Sequence, residues 1–338
     1  MIIVMKHDAS GALVDAVKEK LIAMDMRTNI SRGTNRIVVG AIGDVQYVDI
    51  KVLEALPGVE SVVRVAKPHK IVARESHSGD TIVNVGGVEI GGNTVQVIAG
   101  PCSVETQEQM DSAAQAVVAA GCRLMRGGAF KPRTSPYSFQ GLGVEGLELF
   151  QNAARKQGLP IVSELMDVRM LDAFLEHKVD VIQIGTRNMQ NFDLLKEVGG
   201  IQTPVILKRG MSATIAEWLM SAEYIAARGN HNIIFCERGV RSFETAYRNV
   251  LDVTAIPVLK RETHLPVIVD PSHAGGKAWM VPALSRAAVA AGADGLLVEM
   301  HPTPAEAWCD ADQALSPDEL NDLMAELKGI AQVIGRTL

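Results

Sequence analysis

The feature that most constrains the fold is a regular alternation that begins at residue 95. Short apolar runs alternate with longer amphipathic segments, such as 107–120 and 215–227. Short continuous apolar runs are typical of parallel strands buried on both faces. The predicted strands are residues 95–99, 123–126, 160–164, 181–184, 205–208, 232–236, 267–270 and 295–299. Eight such units in about 240 residues favour a (β/α)8 barrel over a doubly wound sheet.

Residues 1–66 follow a different pattern. Strands are predicted at 2–5, 28–31, 36–42 and 59–65, and helices at 13–24 and 45–56. The order βαββαβ in so short a stretch is the ferredoxin-like arrangement. Such a domain is often regulatory, although a purely stabilising role fits the sequence equally well. We therefore predict a ferredoxin-like domain at 1–66, a polar linker at 67–80 and a barrel domain at 81–338. A hairpin, with strands at 82–85 and 88–90, is expected to precede the barrel.

Composition excludes several classes of function. The chain has 338 residues, a formal net charge of −6 and only 4% aromatic residues. This balance argues against binding to nucleic acid or to an anionic membrane surface. Neither a signal peptide nor a membrane span is predicted. The four cysteines are widely spaced, which favours a reducing, cytoplasmic location over a disulfide framework.

One loop concentrates positive charge in this acidic chain. Arg126, Lys131 and Arg133 lie within eight residues, just after a predicted strand. Prolines 132 and 136 and four glycines between 127 and 143 prevent a long helix here. A shaped cationic loop at the carboxyl end of a strand predicts a site for a small, multiply charged anion.

The other predicted strands also end in residues that carry chemistry. In a (β/α)8 barrel the active site lies where strands end and loops begin. The residues at or just after the strand ends are Cys102, Arg126, Glu164, Arg187, Lys208, Arg238, His273 and Glu299. An unpaired Arg or Lys at a buried strand end is costly. The pattern therefore predicts more than one anionic ligand.

A second group suggests a metal site. Cys102, His273, Glu299 and Asp310 combine a thiol, an imidazole and two carboxylates, a plausible set for a first-row divalent ion. Each also has a simpler interpretation: a buried cysteine, an acid–base histidine, an ion-paired glutamate and a solvated aspartate. His301 is a rival ligand. From the residues alone, both interpretations stay open.

The motifs together resemble those of the 3-deoxy-D-arabino-heptulosonate 7-phosphate (DAHP) synthases, in the branch with an N-terminal ferredoxin-like domain. The resemblance covers nearly the whole chain. It rests on Gly-Pro-Cys-Ser at 100–103, Lys-Pro-Arg-Thr-Ser at 131–135, Ile-Gln-Ile-Gly at 182–185 with Arg187 and Asn188, Leu-Lys-Arg-Gly at 207–210, Cys-Glu-Arg-Gly at 236–239, Asp-Pro-Ser-His at 270–273 and Val-Glu at 298–299.

The resemblance implies an activity: condensation of phosphoenolpyruvate with erythrose 4-phosphate and water, which releases phosphate, at the start of the shikimate pathway to aromatic amino acids. It implies that phosphoenolpyruvate is held by Arg126, Lys131, Arg187, Lys208 and Arg238. It further implies that Arg133, Thr134 and Ser135 hold the erythrose 4-phosphate phosphate. Lys131 is the expected proton donor or acceptor, and Glu164 a candidate to position water.

The same resemblance implies a divalent metal ion (Mn, Fe, Co or Zn) held by Cys102, His273, Glu299 and Asp310. It also implies a homotetramer and feedback inhibition by tyrosine or phenylalanine. Two alternatives are 3-deoxy-D-manno-octulosonate 8-phosphate synthase and a non-catalytic sensor of phosphorylated metabolites. The first typically has Asn where Pro132 stands here, so the sequence favours the four-carbon aldose.

Overall fold

The computed structural model describes residues 1–33, 36–43, 45, 48–64, 68–133 and 135–338. The chain forms two compact units. One comprises Met1–Thr81 with Arg261–His264, and the other Ile82–Lys260 with Leu265–Leu338. The domain boundaries predicted from the sequence stay predictions, and residues 65–67, where the first of them falls, lie outside the described part.

The first unit contains a four-stranded antiparallel sheet with helices. Its elements are β1 (Ile2–Met5), α1 (Gly11–Ile22), β2 (Arg27–Arg32), β3 (Ile37–Ile42), α2 (Ile50–Glu54) and β4 (Val59–Val63). The sheet order β2-β3-β1-β4 confirms the predicted βαββαβ fold. Helical spacing in α1 buries Val14, Val17 and Leu21 against the sheet core.

Helix α2 is shorter than the sequence predicted. Its expected start at Val45 is wrong, because Asp49 caps the helix and accepts a hydrogen bond from the Lys51 amide at 3.0 Å. Residues 44, 46 and 47, part of the expected segment or next to it, lie outside the described residues.

The second unit begins with a hairpin and continues as a barrel. The hairpin strands are β5 (Val83–Val85) and β6 (Val88–Ile90). The barrel strands are β7 (Gln96–Gly100), β8 (Leu124–Arg126), β9 (Ile161–Glu164), β10 (Val181–Ile184), β11 (Val205–Lys208), β12 (Ile233–Glu237), β13 (Val267–Val269) and β14 (Gly295–Glu299). All eight pair in parallel in chain order, and β14 closes on β7. The predicted (β/α)8 barrel is confirmed.

Helices connect the strands along the outside. They are α3 (Gln107–Ala119), α4 (Val144–Lys156), α5 (Leu171–Glu176), α6 (Phe192–Gly199), α7 (Ile215–Ala226), α8 (Ala255–Glu262), α9 (Pro271–Gly275), α10 (Val281–Ala290) and α11 (Pro317–Val333). The start of α11 is the predicted one: Ser316 and Glu319 form a reciprocal capping box around Pro317. No helix in the described part of the chain has the length and apolarity to span a membrane.

The hairpin fills one end of the barrel. Val83, Val85, Val88 and Ile90 are buried in one cluster with inward side chains of all eight barrel strands. Each such aliphatic side chain contributes about 1.5–3 kcal/mol when it leaves water. The opposite end, where the strands terminate, is left to the loops, and it holds the predicted site residues.

Candidate active site

A polar cavity of about 310 Å³ lies at the carboxyl ends of the barrel strands. Ten of the predicted site residues line it: Arg126, Lys131, Arg133, Ser135, Glu164, Arg187, Lys208, Arg238, His273 and Asp310. Cys102 and Glu299 are not among the lining residues. Thr134 lies outside the described residues. The concentration of cations around one small volume suits ligands with several negative charges.

Arg238 is the most informative of these cations. It follows β12, is only 4% exposed, and lines the cavity. Its Nε and Nη1 atoms are buried and have no hydrogen-bond partner among the described residues. Burial lowers the pKa of this guanidinium, because the charge has lost water. A buried charge without partners is costly in the free protein, and an anion in the cavity would remove that cost.

Asp270 organises two neighbouring site residues. Its Oδ2 contacts Lys208 Nζ at the end of β11 and accepts from His273 Nδ1 at 2.7 Å. Although burial opposes its charge, His273 and Lys208 hold the pKa of Asp270 well below its usual range. Burial lowers the pKa of His273. With Nδ1 protonated toward Asp270, the neutral ring presents a free Nε2.

That free Nε2 faces the predicted metal ligands. It lies 3.4 Å from Glu299 Oε1, and Cys102 Sγ lies 3.2 Å from Asp310 Oδ2. Ligand atoms of Cys102, Glu299 and Asp310 all lie within 4.8 Å of one another. His273 is not part of this group of three, but its Nε2 reaches the group at Glu299. A thiol and two carboxylates that converge, with an imidazole beside them, fit a first-row divalent metal ion.

Two further details bear on this group. Asp310 has φ = +54°, an uncommon backbone conformation for a residue with a side chain and one often associated with function. The rival ligand His301 contacts a different carboxylate: its Nε2 lies 3.4 Å from Glu105 Oε2. Neither histidine belongs to the group of Cys102, Glu299 and Asp310, but His273 Nε2 lies 3.4 Å from Glu299. The geometry therefore favours His273 over His301 as the histidine ligand.

Lys131 links the cations to the thiol. Its Nζ lies 2.9 Å from both the carbonyl oxygen and the Sγ of Cys102. Burial opposes its charge, but the sulfurs of Cys102 and Cys309 and the Glu299 carboxylate raise the pKa of Lys131. A hydrogen bond with Cys309 and burial raise the pKa of the Cys102 thiol. Lys131 is therefore a firmly protonated donor, and Cys102 must lose a proton to bind a metal.

Glu164 is a carboxylate among the cations of the cavity. At the end of β9, it accepts a hydrogen bond of 3.3 Å from Gln183 Nε2. Its carboxylate rests against the backbone of Gly185, where an added Cβ would lie only 1.8 Å from Oε1. The glycine thus leaves room for the carboxylate at the cavity wall.

Two residues of the site escaped the sequence reasoning: Arg248 lines the cavity, and Gln313 bonds Glu299 and Arg248. Gln183 also lines the cavity, and it was quoted in the Ile-Gln-Ile-Gly motif without an assigned role. Arg248 lies eleven residues after the end of β12, in a segment without helical or strand periodicity. Its backbone N–H donates a long-range hydrogen bond of 3.1 Å to Gly275 O, which holds this segment near the site. For Asp270, the quoted Asp-Pro-Ser-His motif was the available signal.

The comparisons with known proteins agree with this architecture. Residues 70–335 match the family model described as the DAHP synthetase I family, and residues 1–67 match the DAHP synthase ferredoxin-like domain. A curated phospho-2-dehydro-3-deoxyheptonate aldolase of Thermotoga maritima is 48% identical over 335 residues, which cover 99% of each chain. A 2-dehydro-3-deoxyphosphooctonate aldolase of Syntrophotalea carbinolica is 35% identical and covers 75% of this chain and 97% of its own.

Solved structures give the same result. The crystal structure of the Thermotoga maritima phospho-2-dehydro-3-deoxyheptonate aldolase (DAHP synthase) has a TM-score of 0.79 at 47% identity, and the match covers 99% of this chain and 98% of that one. A truncated form of the Thermotoga maritima synthase has a TM-score of 0.74 at 45% identity, with 79% and 98% covered.

Proposed function

The chain belongs to the DAHP synthetase I family and carries that family's ferredoxin-like domain, and from this premise we propose the reaction that its cavity performs. The enzyme is a DAHP synthase, a transferase that forms a carbon–carbon bond. In the proposed reaction, phosphoenolpyruvate, erythrose 4-phosphate and water give DAHP and inorganic phosphate. The observation that carries the proposal is the buried Arg238, whose Nε and Nη1 lack a hydrogen-bond partner among the described residues and which lines the same cavity as His273 and Asp310.

Two phosphorylated substrates repel one another, so the site must cancel that repulsion while it fixes their orientation. We propose that phosphoenolpyruvate occupies the deep part of the cavity. Its phosphate and carboxylate would contact the cations Arg126, Lys131, Arg187, Lys208 and Arg238. The phosphate of erythrose 4-phosphate would bind nearer the opening, on Arg133, Thr134 and Ser135. Because both sets contribute to one cavity, this arrangement would bring the reacting carbons together.

We propose that Cys102, His273, Glu299 and Asp310 hold one divalent metal ion. When bound, such an ion supplies Lewis-acid polarisation of the aldehyde oxygen. Sulfur, nitrogen and oxygen donors together accommodate Mn, Fe, Co or Zn. The neutral His273 and the acidic carboxylates of Glu299 and Asp310 are already in their ligating protonation states, since the pKa of each group is lowered.

The proton transfers are assigned from the charge states of the residues. C3 of phosphoenolpyruvate bonds to the aldehyde carbon, and Lys131, a protonated donor, supplies the proton that makes the aldehyde oxygen a hydroxyl. Water, oriented by the Glu164 carboxylate, adds at C2 and releases one proton. The C2–O bond to phosphate then breaks, the remaining hydroxyl at C2 becomes a carbonyl, and its proton leaves with the inorganic phosphate. The proton released by the water balances the one that Lys131 gave up, so Lys131 is protonated again before the next cycle.

The alternatives are separated by substrate. A 3-deoxy-D-manno-octulosonate 8-phosphate synthase would use arabinose 5-phosphate, which Pro132 in the cationic loop disfavours. A sensor would consume no substrate. Phosphate release should be measured with each aldose phosphate separately, with and without a chelator and after metal is restored. Release with erythrose 4-phosphate that the chelator abolishes supports the proposal, and release with arabinose 5-phosphate alone would overturn it.

We also propose regulation through the first unit. Similar domains in this family suggest that tyrosine or phenylalanine inhibits the enzyme and that the active form is a homotetramer. Deletion of residues 1–66 should remove inhibition while turnover is retained. Inhibition that persists after the deletion would refute this role. Size-exclusion chromatography with light scattering tests the tetramer.

A further inference from the structure

Gln313 is a buried amide whose two ends both contact site residues. It lies in the short turn Ala311–Gln313 after Asp310 and is only 2% exposed. Its Nε2 donates to Glu299 Oε2 at 2.6 Å, and its Oε1 accepts from Arg248 Nη1 at 2.9 Å. Neither the sequence motifs nor the proposed reaction uses this residue.

On the Glu299 side, the amide fixes the orientation of a carboxylate. With Oε2 held by Gln313, Glu299 presents Oε1 to Arg126 Nη1 at 3.1 Å and to His273 Nε2 at 3.4 Å. Oε1 is thus the oxygen that faces His273, one of the other candidate ligands. Partners that orient a ligating group typically change metal affinity 10- to 100-fold when they are removed.

On the other side, the amide fixes a cation at the cavity wall. The backbone N–H of Arg248 donates a hydrogen bond to Gly275 O, which holds the backbone of Arg248 against α9. The direction of its side chain is then set by the contacts of the guanidinium. Arg248 lines the cavity, and its Nη1 also lies 3.7 Å from Asp310 Oδ1. The guanidinium therefore stands between the metal ligands and the anion cavity.

We propose that Gln313 is a positioning residue that couples the two halves of the site, and that Arg248 is a further contact for an anionic substrate. The proposal rests on the proposed metal site. Among uncharged side chains of this shape, an amide is the one that donates to a carboxylate at one end and accepts from a guanidinium at the other. Through it, the orientation of Glu299 and that of Arg248 depend on each other.

The two ends can be broken separately. Gln313→Leu removes both hydrogen bonds at nearly constant volume. Gln313→Glu keeps an acceptor for Arg248, but it removes the donor to Glu299 and sets two carboxylates against each other. Arg248→Met leaves the bond to Glu299 in place. A Gln96→Leu variant serves as a matched control, because Gln96 is also buried (5% exposed) but lies at the amino end of β7, away from the cavity.

Two equilibrium measurements test the coupling. Co²⁺ binding to metal-free protein is followed by the visible absorption of the ion and the sulfur-to-metal band, and binding of inorganic phosphate is followed by calorimetry. Gln313→Leu should weaken Co²⁺ roughly 10- to 100-fold and also weaken phosphate. Gln313→Glu should weaken Co²⁺ chiefly, and Arg248→Met should weaken phosphate chiefly. The Gln313→Leu and Arg248→Met effects on phosphate should be less than additive.

The outcomes are distinct. If wild-type protein binds no Co²⁺, the proposed metal site fails and this inference fails with it. If wild-type protein binds Co²⁺ and both Gln313 variants bind it equally well, only the inference is overturned. Strictly additive effects on phosphate would also overturn it. Should Gln313→Leu fail to fold, as judged by thermal unfolding beside Gln96→Leu, the comparison of Gln313→Glu with Arg248→Met still decides.

Discussion

Replacement of Arg238 by Met should weaken the binding of anionic ligands without lowering the stability of the ligand-free protein. In the free protein, the Nε and Nη1 atoms are buried without partners in the described part of the chain, so the guanidinium adds a desolvation cost and gains little. Met covers much the same apolar volume without the charge. We therefore expect the thermal unfolding midpoint of Arg238→Met, measured without ligand, to equal or exceed that of wild type.

The magnitude for binding follows from the two unpartnered atoms. A hydrogen bond to a charged group contributes about 1.5–3 kcal/mol, so two of them contribute about 3–6 kcal/mol. Loss of both corresponds to a decrease in phosphoenolpyruvate affinity of about 10²- to 10⁴-fold. Calorimetric titration with phosphoenolpyruvate measures this directly, and stabilisation by phosphoenolpyruvate in thermal unfolding should disappear in parallel.

Arg209→Met is the matched control. Arg209 is also buried, but its guanidinium bonds Glu237 at 2.9 Å and Asp252 at 2.7 Å. Its removal leaves the fully buried Glu237 carboxylate without this partner, so the free protein should lose about 3–5 kcal/mol. If Arg238→Met destabilises the free protein as much as Arg209→Met, the guanidinium is satisfied without ligand and the reasoning is refuted.

Three further predictions concern the proposed metal ligands and the cavity wall. Because the pKa of the Cys102 thiol is raised, the thiol is protonated at neutral pH, and a metal ion must displace that proton to bind. Co²⁺ affinity should therefore rise up to about tenfold for each pH unit below that pKa. An affinity that does not change with pH would contradict this. Asp310→Asn should leave the unfolding midpoint nearly unchanged, because Asn tolerates φ = +54°, while Co²⁺ affinity falls; unchanged affinity would argue against Asp310 as a ligand. Gly185→Ala should displace the Glu164 carboxylate and reduce kcat about tenfold or more with little loss of stability, and a kcat equal to wild type would remove Glu164 from the mechanism.

The fold could be predicted from the sequence because its signals are local. Each barrel strand is a short and largely apolar run, and the predicted bounds 181–184, 205–208 and 295–299 agree with β10, β11 and β14. The start of α11 could be predicted because its capping residues lie close together in the sequence. Helix α2 was misjudged because an apolar pattern does not reveal where a side chain such as Asp49 will cap the backbone.

The candidate site could be predicted only in part, for the same reason. Residues at strand ends are brought together by the closure of the barrel, so their convergence follows from the fold. Arg248 and Gln313 reach the site through contacts between distant loops, as in the bonds of Gln313 to Glu299 and to Arg248. The contact of 2.9 Å between Lys131 Nζ and the Cys102 sulfur likewise joins two loops, and no spacing in the sequence specifies it.

The hairpin formed by β5 and β6 affects the order in which the two substrates can bind. Since it plugs the amino end of the barrel, molecules that reach the deep cations must arrive through the loops at the other end. Arg238 and Lys208 are 4% and 3% exposed, whereas Ser135 lies on the outside of the cationic loop. A molecule seated on the outer cations would obstruct the way inward. In the proposed arrangement phosphoenolpyruvate therefore binds first and the sugar phosphate second. Initial-rate kinetics would then follow a sequential mechanism with a compulsory order of binding.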